Sequence, residues 1–460
     1  MRFPFAVTAL ALFLSGCVSA TPEQVTMTRS DASPSGERLA PLQSFAQALP
    51  APAARSNAEI AQDILDLEFL MESGRALPVF TRFEGPITVA LTGDVPTTAP
   101  PDLTRVLSRM RAEAGIDIAP AGNAAQAAIT IDFQPRAAMR RAVPQAACFV
   151  VPRVSSFAEY RAARGSGVTD WTTLTRREKV GIIVPSDSTP QEVRDCLHEE
   201  LAQAIGPLND LYRLPDSVFN DDNFLTVLSG FDMLVLRVHY DPALQNGMTR
   251  AEVAARLPAI LARLNPAGEG RGAGRPLAMA PRAWVDAVEQ AFTPRGSDAA
   301  RLRAAQRMLS IAQTQGWQDN RLAFSWFAIG RAQVSQDRAA ATEAFRTAQA
   351  IWQRLPGGDV RSAHVDMQIA AFALSDGRFA EALALTERAI PVVRRAENAA
   401  LLATLLMINA EANAALGRMH EARAARLDSL GWARYGFGSD AQVRARLSDI
   451  SGLATTGRSG

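Results

Sequence analysis

The chain has only one lysine, Lys179, among its 48 lysines and arginines. It also has only four histidines, the commonest ligands of transition metals, at positions 198, 239, 364 and 420. A metal site built only from histidines is therefore hard to assemble. The formal net charge is +1, so no bulk attraction to nucleic acid or to an anionic surface is expected. We predict no nucleic-acid partner.

The N-terminal apolar stretch, Phe5 to Leu14, is too short to span a membrane and has the length of a signal-peptide core. The box Leu14-Ser15-Gly16-Cys17 follows it and resembles the bacterial lipoprotein cleavage site, in which the cysteine is acylated. The alternative is a cysteine that follows a signal peptide by coincidence. We expect residues 1–16 to be a lipoprotein signal peptide. Because residue 18 is Val and not Asp, the resemblance implies a lipid anchor on the periplasmic side of the outer membrane.

Only two cysteines remain once Cys17 carries a lipid, namely Cys148 and Cys196. In an oxidising periplasm they are candidates for one disulfide, which would join a predicted strand to a predicted helix. The alternative is two buried free thiols. We expect the disulfide.

Composition divides the rest of the chain. Residues 17–55 contain the lipidated Cys and then a stretch rich in Ala, Pro, Ser and Thr, which indicates a flexible tether. Hydrophobic periodicity begins at Asn57 and predicts a first domain over residues 56–264. Residues 265–282 are rich in Gly and Pro, and no strand precedes them as a phosphate-binding loop requires, so we interpret them as a linker. A helical-repeat domain over residues 283–437 and a C-terminal tail over residues 438–460 complete the prediction.

The first domain alternates strand-like and helix-like segments. Strands are predicted at Pro86–Leu91, Ala128–Phe133, Cys148–Val151 and Val180–Val184, and helices at Asp102–Ala114, Phe231–Tyr240 and from the capping box at Thr249 to Leu264. The stretch from Glu192 to Asp210 is predicted to contain the central helix of the domain.

The central helix has two distinct faces. At about 100° per residue, one face is apolar and the opposite face carries Asp195, Glu199, Gln203 and Gly206. Glu199 and Gln203 are four residues apart, so their side chains can converge on one point above the helix. The alternative interpretation is a polar face exposed to solvent.

Two zinc patterns compete on this helix. His198-Glu199 opens a His-Glu-x-x-His pattern, but its second imidazole should lie at position 202, where the residue is Ala202. The longer pattern His-Glu-x-x-His-x-x-Gly-x-x-His fits when it begins at Glu199. In this frame, Glu199-Glu200-x-x-Gln203-x-x-Gly206-x-x-Asn209, Glu200 stands at the general-base position and Gly206 at the turn position. The three imidazole positions hold Glu199, Gln203 and Asn209 instead.

This longer match argues against zinc chemistry. Carboxylate and amide groups cannot replace three imidazoles as zinc ligands at useful affinity. We therefore expect no metal or other cofactor, with zinc as the alternative, and we name Glu200, Glu199, Gln203 and Asn209 as candidate site residues. His198, Glu199 and His239 remain weak candidates for metal ligands.

The stretch Cys196-x-x-Glu199-Glu200-x-x-Gln203-x-x-Gly206-x-x-Asn209-Asp210 resembles the core of domain of unknown function 2927, a family of bacterial lipoproteins. The resemblance covers roughly residues 56–264, implies a metallopeptidase-like fold and implies no established activity. His198 lies outside the pattern, so the resemblance does not make it a ligand. Further matching segments are Ser217-Val218-Phe219-Asn220-Asp221, Leu236-Arg237, Tyr240-Asp241-Pro242 and Gly247-Met248.

A polar run, Asn220-Asp221-Asp222-Asn223, follows the central helix. Consecutive acidic and amide side chains can hold a hard cation through oxygen ligands. Their spacing does not match an EF-hand loop, and we interpret the run as a capped turn. His239, near the end of the helix predicted at Phe231–Tyr240, is interpreted as a packed residue and not as a ligand.

The C-terminal part repeats at intervals of about 40 residues. The recurring segments are Gln336-Asp337-Arg338, Asp376-Gly377-Arg378 and Leu416-Gly417-Arg418, each followed by an Ala-rich helix. The pattern resembles tetratricopeptide repeats, although their usual period is shorter. Helical solenoids of this kind usually bind a peptide or a protein.

These observations predict an α+β zincin-like domain followed by an all-α helical-repeat domain. The expected function is that of a membrane-anchored scaffold or binding protein whose first domain is not catalytic. Its expected partners are the membrane, through the lipid, and a protein or peptide, through the repeats. The alternative is a zinc metallopeptidase with an unconventional site built from His198, Glu199, Glu200 and His239.

We predict that Cys17 is the lipidated first residue of the mature chain. Mass spectrometry of the N-terminal peptide should find acyl groups on Cys17, and the Cys17→Ala variant should lack them because the acceptor thiol is gone. An unmodified Cys17 in the wild-type protein would contradict the lipoprotein assignment.

Overall fold

A computed structural model describes residues 43, 45, 53, 55–144, 146–272, 278–293 and 296–459. The signal peptide and Cys17 lie outside these described residues. Contacts divide the chain into two compact units, one of residues 47–282 and one of Met1–Ala46 together with Ala283–Gly460. Within the described residues, no helix is both long and apolar enough to cross a membrane. The structure confirms an α/β region followed by an all-helical region.

A five-stranded mixed sheet forms the centre of the α/β unit. Its strand order is β2-β1-β3-β5-β4, with all neighbours parallel except the edge strand β4, which runs antiparallel to β5. The strands are β1 Ile87–Gly93, β2 Ile118–Pro120, β3 Ile129–Gln134, β4 Phe149–Pro152 and β5 Val180–Pro185. Four of the five coincide with predicted strands to within about two residues, and the three-residue β2 was not predicted.

Seven α-helices belong to this unit among its described residues. They are α1 Asn57–Glu68, α2 Ala99–Ala114, α3 Arg136–Ala142, α4 Phe157–Ala163, α5 Pro190–Ile205, α6 Gly230–His239 and α7 Arg250–Leu264. Helices α2 and α5 belong to the main core on one face of the sheet. A smaller cluster of Met139, Ala142, Phe157 and Ile183 covers the other face. Strand β5 is therefore buried on both sides, which explains why its sequence is a continuous apolar run.

Helix α5 begins with a complete capping box. The Thr189 hydroxyl accepts the Glu192 backbone N–H at 3.2 Å, and the Glu192 carboxylate accepts the Thr189 N–H at 2.9 Å. Pro190 occupies the first turn, where its missing N–H has no consequence. These contacts satisfy backbone donors that the helix itself leaves unpaired.

The C-terminal end of α5 is closed by a buried arginine. The Arg177 guanidinium donates to the carbonyl oxygens of Gln203 and Ala204, both at 2.8 Å. A cation at this end compensates the unpaired carbonyls and the negative end of the helix dipole. Gly206 follows the last helical residue. A Cβ at this position would lie 2.8 Å from Leu236 Cδ2 and 2.9 Å from the Ala202 carbonyl oxygen. The close approach of α6 therefore requires a glycine.

The predicted disulfide is confirmed. Cys148 and Cys196 are bonded with their Cα atoms 6.1 Å apart. Cys148 directly precedes the edge strand β4, and Cys196 lies in α5. The bond therefore ties the edge of the sheet to the central helix.

The helical unit consists of helical pairs spaced about 40 residues apart. Its helices are α8 Arg282–Phe292, α9 Asp298–Thr314, α10 Asn320–Gln333, α11 Arg338–Trp352, α12 Asp359–Ser375, α13 Phe379–Arg395, α14 Ala399–Ala415, α15 Met419–Phe437 and α16 Asp440–Ser459. In the pairs α10–α11, α12–α13 and α14–α15, the first helix is buried over most of its length and the second is buried along one side.

The recurring sequence segments lie at the turn inside each of these pairs. Gly377 and Gly417 have φ of 74° and 77°, in the left-handed region that favours glycine. The residues after them, Arg378 and Arg418, donate their backbone N–H groups to carbonyls of the preceding helix. In the first pair the side chain of Asp337 caps α11 instead. The period found in the sequence thus marks the helix-to-helix turn.

Two segments outside the predicted domains are part of the helical unit. The region set apart as a C-terminal tail contains α16, which packs on α12 and α14 and buries Val443 and Ile450. Phe45, within the predicted tether, stacks on Trp432 with ring centroids 4.3 Å apart. The α/β unit also includes a tether residue, since Arg55 pairs with Asp63 at 2.6 Å.

We predict that Gly206→Ala lowers the free energy of unfolding by about 1–3 kcal/mol, because the added methyl overpacks the contact between α5 and α6. Denaturant unfolding of the full chain measures this loss. Gly122→Ala is the matched control, since nothing lies within 4 Å of its Cβ position, and it should change stability by less than about 0.5 kcal/mol. Equal effects in both variants would contradict the packing argument.

Candidate functional site

The polar face of α5 is buried and not solvated. On this face Gln203 and Asp195 are 5% and 8% exposed and Glu199 is half-buried, and the neighbouring Glu200 is 4% exposed. The alternative of a solvent-exposed polar face is therefore wrong. Charged groups are rarely buried without a partner, so the surroundings of these side chains decide what the site can do.

Two carboxylates of α5 and three from other segments form a group that we call the acidic cluster: Glu199 and Glu200 with Glu72, Asp210 and Asp221. Carboxylate oxygens of Glu72, Asp210 and Asp221 all lie within 4.8 Å of one another. Glu199 and Glu200 interact electrostatically with this group. Gln203 joins it by donating from Nε2 to Asp210 Oδ2 at 3.2 Å. Gln203 is thus hydrogen-bonded to the cluster, and Glu199 interacts with it through its charge.

Burial and mutual repulsion raise the pKa of three carboxyl groups well above their usual range. For Glu199, Glu200 and Asp210 the largest cause is desolvation, followed by the negative charges of other acidic residues, with Glu72 and Asp221 among them in each case. Glu200 Oε2 and Asp210 Oδ1 are buried and accept no hydrogen bond. The cluster therefore favours proton uptake or a positively charged ligand.

A rigid turn places Asp221. Asp222 N–H donates to Asn220 Oδ1 at 3.1 Å, and Phe224 N–H donates to Asp222 Oδ1 at 3.2 Å. Asn220 Nδ2 also donates to the Leu214 carbonyl at 2.6 Å. Asn220 and Asp222 thus hold the backbone, as expected of a capped turn, while Asp221 contributes its carboxylate to the acidic cluster.

Neither histidine proposed as a weak ligand belongs to the acidic cluster. His198 Nδ1 accepts the backbone N–H of Leu228 at 3.2 Å. Burial first, and then the charges of Arg194, Arg109 and Arg105, hold the pKa of His198 well below its usual value. The ring is a neutral, packed acceptor.

His239 is buried in a separate pair with Glu68. Its Nδ1 lies 2.7 Å from Glu68 Oε1, and its ring contacts Phe80 and Tyr240. Burial lowers the pKa of His239, although the Glu68 carboxylate acts in the opposite direction. Its Nε2 is buried and has no partner.

Asn209 lies away from the acidic cluster and donates from Nδ2 to the Asp66 carbonyl at 2.9 Å. Its neighbour Asp210 occupies the cluster instead. Sequence reasoning missed the roles of Asp210 and Glu72. Asp210 stands in the quoted family motif beside Asn209, which was a usable signal. Glu72 follows α1 and carries no pattern that points to the site.

A cavity of about 500 Å³ lies elsewhere in the unit, at the carboxyl ends of β1 and β3. Its lining includes Thr92, Asp132 and Arg161. Asp132 accepts hydrogen bonds from the Thr92 hydroxyl and from the Phe157 N–H, so its charge is used to hold the start of α4. No sequence motif predicted this cavity.

The structure defines a protein with an α/β unit, an acidic site on its central helix and a separate all-helical unit. Residues 57–259 match the model of a family described as "Protein of unknown function (DUF2927)". The match supports the assignment of the α/β domain to that family and does not extend to the helical unit. No curated protein and no solved structure matches the chain.

We predict that Glu200→Gln raises the free energy of unfolding at pH 7.5 by about 1–3 kcal/mol, because the amide cannot carry the buried, unpartnered charge of an ionised Glu200. The neutral amide no longer adds a buried charge beside Glu199 and Glu72. Thermal denaturation of the full chain checks this, with exposed Glu84→Gln as the control.

The same measurement across pH tests the electrostatic cause. The folded-state pKa of Glu200 lies well above its unfolded value, so the stabilising contribution is complete below pH 4 and is lost as pH rises through the folded pKa. Wild-type stability should fall over this range more steeply than that of Glu200→Gln. Parallel pH profiles would contradict the assignment.

Proposed function

We propose that the protein is a periplasmic lipoprotein, anchored to the outer membrane through Cys17, that acts as a binding or scaffold protein. In this proposal the α/β unit is a zincin-like domain without a catalytic zinc, and the helical unit binds a protein or peptide. The observation that supports the non-catalytic part is that His198 and His239 each have another partner and stand outside the group of Glu72, Asp210 and Asp221.

Two findings on the histidines support this. His198 uses Nδ1 to accept the Leu228 N–H, and His239 is paired with Glu68. The substituted ligand positions 199 and 203 face a group of carboxylates. A catalytic zinc needs three firm protein ligands and an open position for water, and carboxylates with an amide form a poor set for zinc.

The element order supports a zincin-like shape. A strand, a helix and further strands precede α5, which is the order that the resemblance leads us to expect. Gly206 also ends α5 at the position that the longer zinc pattern assigns to its turn glycine. This likeness concerns the fold and carries no activity with it.

Elemental analysis of full-length protein purified without chelator tests the absence of catalytic zinc. We expect far less than one zinc per chain and no cleavage of a general protease substrate, because the imidazole positions are substituted. About one zinc per chain, lost in His198→Ala or Glu199→Ala and kept in the exposed-histidine control His420→Ala, would favour the peptidase.

The surface of α15 supports the binding role of the helical unit. Met419 and Leu427 are 65% and 55% exposed, although both are large apolar residues. They lie eight residues apart, with Arg423 between them on the same exposed side of the helix. Apolar side chains with an arginine among them are suited to contact with a protein or peptide, and solenoids commonly bind through their extended surfaces.

Site-specific photo-crosslinking in cells tests this role. A photoreactive residue at Met419 or Leu427 of the full-length protein should form one discrete adduct, the same from both positions. A probe at exposed Ala445 in α16 is the control. The substitution Met419→Glu should weaken the adduct formed from position 427, because a charge disrupts an apolar contact. No discrete adduct, or the same adduct from Ala445, would contradict a binding site on α15.

A further inference from the structure

We propose that the acidic cluster is a binding site for a hard divalent cation, best suited to calcium, with Glu72, Asp210 and Asp221 as its ligands. The proposal goes beyond the function proposed above, which concerns catalytic zinc and partner binding. It does not depend on that function, since a calcium site can stabilise a domain of any role.

The spacing of the three carboxylates fits one ion. Calcium takes oxygen ligands at 2.3–2.6 Å, so two ligands on opposite sides of the ion lie about 4.6–5.2 Å apart. The ligand oxygens of Glu72, Asp210 and Asp221 all lie within 4.8 Å of one another. Both ions are compatible with this upper limit, but three protein carboxylates favour calcium, because magnesium requires near-ideal octahedral geometry and is usually held by only one or two carboxylates.

A buried carboxylate beside these three gives a second, independent reason for a cation. Glu200 is 4% exposed, and its Oε2 is buried with no hydrogen-bond partner. The negative charges of Glu199, Glu72 and Asp221 act on it, so it lies close to the proposed ligands. Asp210 Oδ1 is also buried without a partner. Two buried acceptors without donors leave room for a positive ligand between the carboxylates.

Two other buried acids of the same unit, Asp63 and Asp66, are paired with arginines. Asp63 and Asp66 both pair with Arg213 at 2.8 Å, and Asp66 also pairs with Arg250 at 2.8 Å. For Glu199, Glu200 and Asp210, in contrast, every charge identified as acting on the group is acidic. In the acidic cluster a metal ion would take the place that arginine occupies elsewhere.

The chemistry and position of the ligands indicate which ions are suitable. Carboxylate oxygens select hard cations, whereas zinc prefers imidazole or thiolate. Glu72 is exposed while Asp210 is buried, so an ion reaches the site from solvent and keeps water in its remaining coordination positions. The turn formed by Asn220 and Asp222 holds Asp221 in place before the ion arrives.

Isothermal titration calorimetry of chelator-treated, full-length protein with calcium chloride tests the proposal. We expect one calcium per chain and a higher melting temperature with calcium. Glu72→Gln and Asp221→Asn should each weaken binding at least about tenfold, since each removes one of three charged ligands. Glu84→Gln, which changes an exposed glutamate of the same unit, should bind as the wild type does. Magnesium and zinc chloride titrations serve as the competing arms.

Stability without calcium separates loss of a ligand from loss of the fold. In chelator, Glu72→Gln and Asp221→Asn should melt no lower than the wild type, because each removes a repulsive charge. A variant that fails this control is replaced by Asp210→Asn, which is held to the same two criteria.

Three results would overturn the proposal. These are no calcium binding up to about 10 mM, well above the dissociation constants of weak extracellular calcium modules; binding that the ligand variants leave unchanged; or tighter binding of zinc than of calcium. If the carboxylates share protons instead, acidification will raise the melting temperature while calcium has no effect. The zinc content of the purified protein is a separate measurement, so the proposed function can fail without this one.

Discussion

Helix α5 is buried around nearly its whole circumference, so its polar side chains need partners inside the protein. The apolar side packs into the core beneath the sheet, its amino end is closed by a capping box, and its carboxyl end is closed by Arg177. The remaining side places Glu199, Glu200 and Gln203 in an interior where their charges and dipoles must be compensated. The acidic cluster arises because the fold buries the polar side of α5, whose negative charges the helix itself does not compensate.

The zinc pattern and the acidic cluster involve the same side of α5, and they differ in the ligand atoms that the side chains offer. The spacing of positions 199 and 203 brings two side chains to one point, whatever their identity. With imidazoles at those positions the point would suit zinc. With a carboxylate and an amide there, and with Asp210 and Glu72 supplied by other segments, the same point suits hard cations, which bind oxygen ligands. The scaffold and the ligand chemistry are therefore separable properties of this domain.

The sequence predicted those features that depend on local spacing. A capping box located the start of α7, strand-like patterns located β1 and β3, and the 40-residue recurrence located the turns of the helical pairs. Short elements such as β2 have too few residues to show a period. The helical pattern of α5 alone did not reveal that Asp195 and Glu200 are buried or that Glu72 lies near the site. Both features depend on contacts between residues that are distant in sequence.

The stacking of Phe45 on Trp432 has a consequence for the order in which the molecule is completed. The helical unit uses residues from both ends of the chain, whereas the α/β unit is formed by the segment between them. Because synthesis proceeds from the N-terminus, the partners of the disulfide emerge long before Trp432. The disulfide of the α/β unit can therefore form early, whereas Phe45 can pack on Trp432 only after almost the entire chain has been made. The first described residues are thus among the last to acquire their native contacts.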